Sequence, residues 1–128
     1  MPVRVLLAED QAAFAEGLMI LLGRDPRIEV VGTARDGEEV VELAHVSRAD
    51  VVLMDLSLPR VDGLEATRRL RASDEDVRVV ILSASTADEA EEAARAAGAA
   101  ALVTKRGGAY DEIVGAILDV APERAIGP

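Results

Sequence analysis

The stretch Val51-Val52-Leu53-Met54-Asp55 decides the fold of this chain, because four consecutive apolar residues lead directly into a carboxylate. An apolar run of this length, followed by turn-forming residues such as Pro59 and Gly63, is typical of a strand buried on both faces. Such strands lie inside parallel sheets, and doubly wound sheets bind their ligands at the carboxyl ends of the strands. A carboxylate at that edge loses hydration unless a cation or hydrogen-bond donors replace the water. Asp55 is therefore a candidate functional residue.

The whole chain repeats this alternation of an apolar run and a helical pattern. The apolar runs predict five strands, at residues 3–8, 28–34, 51–54, 77–82 and 100–103. Apolar residues at helical spacing follow, and those expected on buried helix faces are Phe14, Leu18, Leu21 and Leu22, then Leu64 and Leu70, then Ala90, Ala93, Ala94 and Ala97, and last Ile113, Ala116, Ile117 and Val120. Five strands that alternate with five helices predict a doubly wound α/β fold with a parallel sheet and right-handed crossovers.

Two of the helices also carry boundary signals. Asp36, with Glu39 three residues later, is a capping arrangement that predicts the start of the second helix, which is expected to continue through Ala44. The loop that carries Pro59 leads into a third helix, predicted over residues 62–71.

Length and composition indicate one globular domain. The chain has 128 residues, of which 50% are apolar and 30% charged, a balance typical of globular rather than disordered proteins. Pro122 ends the last helical pattern, so residues 1–121 are predicted to form the domain and residues 122–128 a C-terminal tail or the start of a linker. No apolar run is long enough to cross a bilayer, and the start lacks the layout of a signal peptide. The cytoplasm is the expected location, with no membrane partner.

The charge of the chain argues against direct binding of nucleic acid. Lys and Arg total 14 against 24 Asp and Glu, which gives a net charge of −10 and a field that repels phosphate backbones. One Phe, one Tyr and no Trp leave too few rings for base stacking. Since the chain has no cysteine, disulfides and thiolate metal sites are excluded as well. A basic partner surface or a bound cation fits this composition better.

Polar residues stand at the ends of four predicted strands, where a parallel sheet brings them to one edge. They are Glu9, Asp10, Asp55, Ser83 and Lys105. Three carboxylates in one place repel one another unless a cation lies among them, and oxygen ligands without His or Cys suggest Mg²⁺. A lysine and a hydroxyl opposite them suit a phosphoryl group. The constellation predicts attack by an aspartate on phosphorus, assisted by Mg²⁺.

Four motifs, in this order, resemble the receiver domain of two-component response regulators. They are Val5-Leu6-Leu7-Ala8-Glu9-Asp10, Met54-Asp55-Leu56-Ser57-Leu58-Pro59-Arg60-Val61-Asp62-Gly63, Ile81-Leu82-Ser83-Ala84 and Thr104-Lys105. Each motif alone is weak, but the four together are highly specific, and the resemblance runs from about residue 3 to residue 120. The opening and Ala97-Gly98-Ala99-Ala100 are most similar to receivers attached to helix-turn-helix DNA-binding domains of the LuxR/NarL type.

The resemblance implies a strand order of 2-1-3-4-5 and a role for each strand-end residue. Asp55 resembles the phosphoacceptor, Asp10 a direct Mg²⁺ ligand, and Glu9 a residue that holds the ion through water. The backbone carbonyl of Ser57 would complete the protein ligands. Ser83 resembles the hydroxyl that follows the phosphoryl group, with a backbone N–H from Ala84, and Lys105 the cation that pairs with the phosphoryl oxygens.

The family also implies partners and a function. A sensor histidine kinase would donate the phosphoryl group, and the conformational switch would control an output, transcription through a separate DNA-binding domain. The chain would be a signalling domain rather than an enzyme, since it would catalyse only its own phosphorylation and dephosphorylation. A homodimer formed on phosphorylation is expected, through either the first and last helices or the fourth helix with the last strand.

Two departures from the family pattern concern the switch. Leu102 stands where the family often has an aromatic residue in the last strand, and Arg106-Gly107-Gly108 follows the lysine where many receivers have proline.

Other interpretations of these residues remain open. Asp55 alone would serve as well to stabilise the following loop, and Glu9-Asp10 to favour a helix N-terminus. A phosphatase of the haloacid dehalogenase type also uses a strand-end Asp, but it needs a second Asp two positions on, where this chain has Ser57. A third alternative is a binding or dimerisation module that keeps the fold without phosphorylation.

Overall fold

One parallel five-stranded sheet forms the centre of the molecule. The computed structural model describes residues 1–73, 76–84, 88–105 and 110–122. The strands are β1 (Val3–Ala8), β2 (Ile28–Ala34), β3 (Val51–Asp55), β4 (Arg78–Ser83) and β5 (Ala101–Thr104), in the order β2-β1-β3-β4-β5. The predicted α/β class and the strand order 2-1-3-4-5 are both confirmed.

The described part of the chain contains the five predicted helices. They are α1 (Ala12–Gly23), α2 (Gly37–Ser47), α3 (Gly63–Ser73), α4 (Asp88–Ala97) and α5 (Tyr110–Val120). The capping prediction for α2 is confirmed, because the Asp36 carboxylate accepts a hydrogen bond from the Glu39 N–H at 2.8 Å. Within the described ranges, no helix has both the length and the apolar character that a membrane span requires.

The sheet separates two apolar cores, because successive side chains of a strand point to opposite faces. On β3, Val51 and Leu53 face one core and Val52 and Met54 face the other. The first core, core A, is closed by α1 and α5, and the second, core B, by α2, α3 and α4. Every residue of β3 is buried, as expected for a central strand covered on both sides.

Strand register brings the strand ends together. Ala8 pairs with Met54, so the residue after β1 lies level with Asp55. Asp55 in turn pairs with Leu82, one residue before Ser83. Ser83 pairs with Thr104, and its carbonyl accepts a hydrogen bond from the Lys105 N–H at 2.8 Å. The polar residues of four strands therefore meet at one edge of the sheet.

The predicted buried face of α1 is wrong at one position. Leu21 is 38% exposed, and Ala15 joins Leu18 and Leu22 in core A instead. The reason is the helical period of 3.6 residues, which places Ala15, Leu18 and Leu22 at successive steps of three and four along one face. Phe14, at the margin of that face, is half-buried.

Other boundaries and faces differ from prediction by small amounts. Helix α2 continues to Ser47, beyond the expected end at Ala44, and β5 begins at Ala101 rather than Ala100. In α3, Leu70 is buried as predicted but Leu64 is only half-buried, and Ala66 and Thr67 pack inward. Arg106-Gly107-Gly108 and residues 123–128 lie outside the described residues.

Helix α4 has a small buried face. Of its four predicted core alanines, Ala94 and Ala97 are buried, whereas Ala90 and Ala93 are half-buried. A cavity of about 240 Å³ lies between α4 and β5, and the half-buried Leu102 is part of its wall.

Two glycines provide a test of the close approach between α2 and the loop after β3. A Cβ on Gly37 would lie 1.9 Å from the Val61 carbonyl oxygen, whereas a Cβ on Gly17 would meet nothing within 4 Å. We expect Gly37→Ala to lower the free energy of unfolding by about 1–3 kcal/mol, because backbone has to shift. Gly17→Ala, inside helix α1, is expected to raise it by about 0.5–1 kcal/mol. Urea unfolding measures both, and a Gly37→Ala protein as stable as the parent would contradict the close packing.

Candidate functional site

Three carboxylates converge at the carboxyl edge of the sheet. One oxygen from each of Glu9, Asp10 and Asp55 lies within 4.8 Å of the others. Glu9 and Asp55 are only 2% and 5% exposed, whereas Asp10 is exposed. They come from the segment after β1 and from the last residue of β3, two strands that pair directly. Such a group is electrostatically costly unless positive charge balances it.

Lys105 supplies positive charge inside this cluster. Its Nζ lies 2.5 Å from Glu9 Oε1 and 3.4 Å from Asp55 Oδ2, and its side chain is 16% exposed. The β4–β5 pairing fixes the position of the Lys105 backbone, because the Lys105 N–H donates a hydrogen bond to the Ser83 carbonyl at the end of the β4–β5 ladder. A lysine that follows β5 in sequence thus reaches carboxylates that follow β1 and end β3.

Burial changes the protonation of this site. The pKa of Glu9 rises to about 7, chiefly because burial penalises its charged form and further because Asp55 lies beside it, while Lys105 acts in the opposite direction. Burial of the Lys105 ammonium disfavours its charge, but the hydrogen bond and charge of Glu9 and the charge of Asp55 outweigh this, so the pKa of Lys105 is raised. The lysine is therefore a cation throughout the physiological range.

The donor set of this cluster fits a hard divalent cation. Glu9 Oε1 is buried, and its close partner within the described residues is the Lys105 ammonium, whose Nζ lies 2.5 Å away. Oε2 of the same carboxylate accepts a hydrogen bond from the Gln11 N–H at 3.3 Å. Carboxylate oxygens without nitrogen or sulfur donors are the ligands that Mg²⁺ prefers.

The loop after β3 is built around the Asp55 carboxylate. The Ser57 N–H donates to Asp55 Oδ1 at 3.2 Å, so the segment that carries the predicted carbonyl ligand turns back over the acid. The Gly63 N–H donates to the Leu56 carbonyl at 3.0 Å, and a Cβ on Gly63 would lie 2.4 Å from the Asp55 carbonyl oxygen. Glycine is therefore required where α3 begins, against the backbone of the acidic residue.

Ser83 lies at the same edge. It ends β4, is 1% exposed, and follows the residue that pairs with Asp55. Ala84, whose N–H the resemblance assigns to the phosphoryl group, comes next and is exposed. The structure thus brings together Glu9, Asp10, Asp55 and Lys105 by direct proximity, and Ser83 by strand register.

One residue of this site was missed by sequence reasoning. Phe14 is predicted as a core residue of α1, yet its ring centroid also lies 4.6 Å from Lys105 Nζ. Periodicity along α1 gives no sign of this contact, because Lys105 approaches from a strand end 91 positions later. The one available signal is the place of Phe14 in the first turn after Glu9-Asp10.

Comparison with known proteins identifies the family. Residues 5–117 match the response regulator receiver domain. The chain is 38% identical over 127 residues to the response regulator GacA of Pseudomonas aeruginosa, covering 98% of this chain and 59% of GacA. It is 38% identical over 118 residues to the response regulator UvrY of Escherichia coli, covering 92% of this chain and 54% of UvrY. It thus spans little more than half of either relative.

Solved structures agree with the sequence relatives. A LuxR-family two-component response regulator from Aurantimonas has a TM-score of 0.88 at 34% identity, with 94% of this chain and 85% of that one covered. The signal receiver domain of the putative response regulator NarL from Mycobacterium tuberculosis has a TM-score of 0.88 at 32% identity, with 99% and 98% covered. The chain therefore belongs to the response regulator receiver domain family and is a receiver domain of the LuxR/NarL type.

Proposed function

We propose that this receiver domain accepts a phosphoryl group on Asp55 and switches conformation in response. The observation that carries the proposal is the position of the Asp55 carboxylate, which is buried at the end of the central strand with Lys105 Nζ at 3.4 Å and oxygens of Glu9 and Asp10 within 4.8 Å. A nucleophile, a cation and a cation-binding acid pair in one place suit phosphoryl transfer.

In the proposed step an Asp55 carboxylate oxygen attacks phosphorus. The bond between phosphorus and the donor nitrogen of a phosphohistidine breaks, the donor imidazole leaves, and an acyl phosphate forms on Asp55. Lys105 pairs with the phosphoryl oxygens, and the Ser83 hydroxyl and the Ala84 N–H donate to them. The local positive charge opposes the repulsion between an anionic acid and an anionic donor.

The residues proposed to hold Mg²⁺ are Asp10 and Asp55 directly, the Ser57 backbone carbonyl, and Glu9 through water. Mg²⁺ bound there supplies charge that neutralises the acids and the phosphoryl oxygens. The cluster of Glu9, Asp10 and Asp55, in which Glu9 and Asp55 are buried, supports a cation site at this position.

Turnover as a phosphatase is disfavoured by the position two residues after Asp55. Ser57 is exposed there and donates its backbone N–H to the Asp55 carboxylate. A serine hydroxyl is a poor general acid compared with a carboxyl group. We therefore assign the chain as a signalling domain that is phosphorylated and dephosphorylated, rather than as an enzyme with a separate substrate.

The proposed partners follow from the family and from the chain's own charge. A sensor histidine kinase is the proposed phosphodonor in the cytoplasm, and phosphorylation is proposed to favour a homodimer through α1 and α5 or through α4 and β5. A DNA-binding output domain is proposed to act on transcription, while this chain, with a net charge of −10, binds no nucleic acid itself.

Substitution of the acceptor tests the assignment of Asp55. Asp55→Asn should abolish labelling by acetyl phosphate with Mg²⁺, because the amide is not a nucleophile, while the nearly equal volume preserves the fold. Asp50→Asn is the matched control, since Asp50 is a buried acid at the opposite end of the same strand, where it accepts the Arg4 N–H at 2.9 Å. Intact-mass measurement quantifies the phosphorylated adduct of both variants. Undiminished labelling of Asp55→Asn would show that the acceptor is another residue.

Removal of a carboxylate tests the cation site. Chelation of Mg²⁺ should suppress labelling, and Asp10→Ala should block it while raising the melting temperature of the metal-free protein, because mutual repulsion is relieved. Asp119→Ala removes an equal charge from the exposed face of α5, and it should change neither the labelling nor the melting temperature of the metal-free protein. An Asp10→Ala protein that labels normally at low Mg²⁺ would contradict the ligand assignment.

A further inference from the structure

The single phenylalanine of the chain lies against the single lysine of the candidate site. Phe14 belongs to the first turn of α1, and its ring centroid lies 4.6 Å from Lys105 Nζ, within the range of a cation–π interaction. The ring is half-buried and packs against core A, so the packing that holds α1 on the sheet also fixes the position of the ring.

The surroundings of Lys105 make this ring contact energetically relevant. Its side chain is 16% exposed, and its ammonium also lies 2.5 Å from Glu9 Oε1. Cation–π attraction is weak in water and grows as the cation is desolvated. The Lys105 ammonium is enclosed by two acids and a ring but keeps partial contact with solvent, which places the ring contact in the moderate part of that range.

The ring and the acids differ in what they do to the lysine. Pairing with Glu9 holds the ammonium on the β1 side of the site, and that pairing has to loosen when new anionic oxygens form on Asp55. A ring contact attracts the cation without neutralising its charge, because the quadrupole of the ring carries no net charge. It therefore restrains the ammonium near the site and leaves its charge available to the phosphoryl group.

From this geometry we infer that Phe14 is a positioning residue for Lys105, which it holds by its ring face in the place where phosphoryl oxygens form. The inference rests on the proposed function of the site. The competing account is that Phe14 only fills space at the margin of core A, in which case its volume matters and its ring electrons do not.

Fluorination of the ring distinguishes the electronic effect of the Phe14 side chain from the effect of its volume. Because Phe14 is the one Phe among 128 residues, biosynthetic incorporation of mono-, di- or trifluorinated phenylalanine alters this position alone. Each fluorine withdraws density from the ring face at nearly constant size. The readout is the affinity for beryllofluoride with Mg²⁺, a stable mimic of the phosphoryl group. We expect a stepwise loss that reaches about two- to fivefold, the effect of an interaction of this class.

Two variants complete the comparison. Phe14→Leu retains an apolar side chain without a ring and should lose about the same affinity as the trifluorinated protein, whereas Phe14→Tyr retains the ring face and should match the parent. Affinity that is unchanged or tighter across the fluorinated series overturns the inference and leaves Phe14 as a packing residue. A parent protein that does not bind beryllofluoride at all overturns the proposed function, and the positioning role with it.

The contact itself has a readout that needs no phosphoryl chemistry. Monofluorinated Phe14 gives one fluorine NMR signal, which should shift when Lys105→Met removes the charge at similar chain length. Glu16→Gln, a change of charge on the exposed side of the same helix, should leave the signal nearly in place. A fluorine chemical shift that does not change in Lys105→Met shows that the ring and the ammonium are apart in solution, which refutes the positioning role. The proposed function is not affected by this outcome, because the labelling of Asp55 tests it separately.

Discussion

The structure depends on one electrostatic constraint, the close approach of three carboxylates at the edge of a sheet that has an apolar core on each face. Two of these carboxylates are buried and the third is exposed. Glu9 and Asp55 are buried because one follows and the other ends a central strand, and these two strands pair directly. Lys105 relieves part of the repulsion as an ion-pair partner of both. The negative charge that remains makes this edge attractive to cations.

Much of the fold could be predicted because its strands are continuous apolar runs that end in polar residues. Val51 to Met54 predicts a strand covered on both sides, and the parallel class then places Asp55 at the same edge as Glu9 and Lys105. The direct contacts of Lys105 with Glu9 and Asp55 agree with that expectation. The roles of these residues in binding Mg²⁺ and phosphoryl groups remain proposals.

What the sequence could not predict depends on contacts between distant segments. Leu21 has the character of a core residue but lies off the buried stripe, because helix phase is set by Leu18 and Leu22 against the sheet. The contact of Phe14 with Lys105 depends on how α1 lies against the end of β5. The need for glycine at position 37 arises from the Val61 backbone, which belongs to another loop. The contacts of Phe14 with Lys105 and of Gly37 with Val61 have no periodic signal along the chain.

The division into two cores has a consequence for how the domain tolerates change. Helices packed on opposite faces of a sheet are separated by its strands, and free-energy changes at well-separated sites without shared partners are close to additive. Substitutions on the buried faces of α1 and α5 and substitutions on those of α2, α3 and α4 should therefore have nearly additive effects on the free energy of unfolding. The carboxyl edge is the exception, because β3 contributes side chains to both cores and ends at Asp55. A change in either core can therefore alter the position of the same carboxylate.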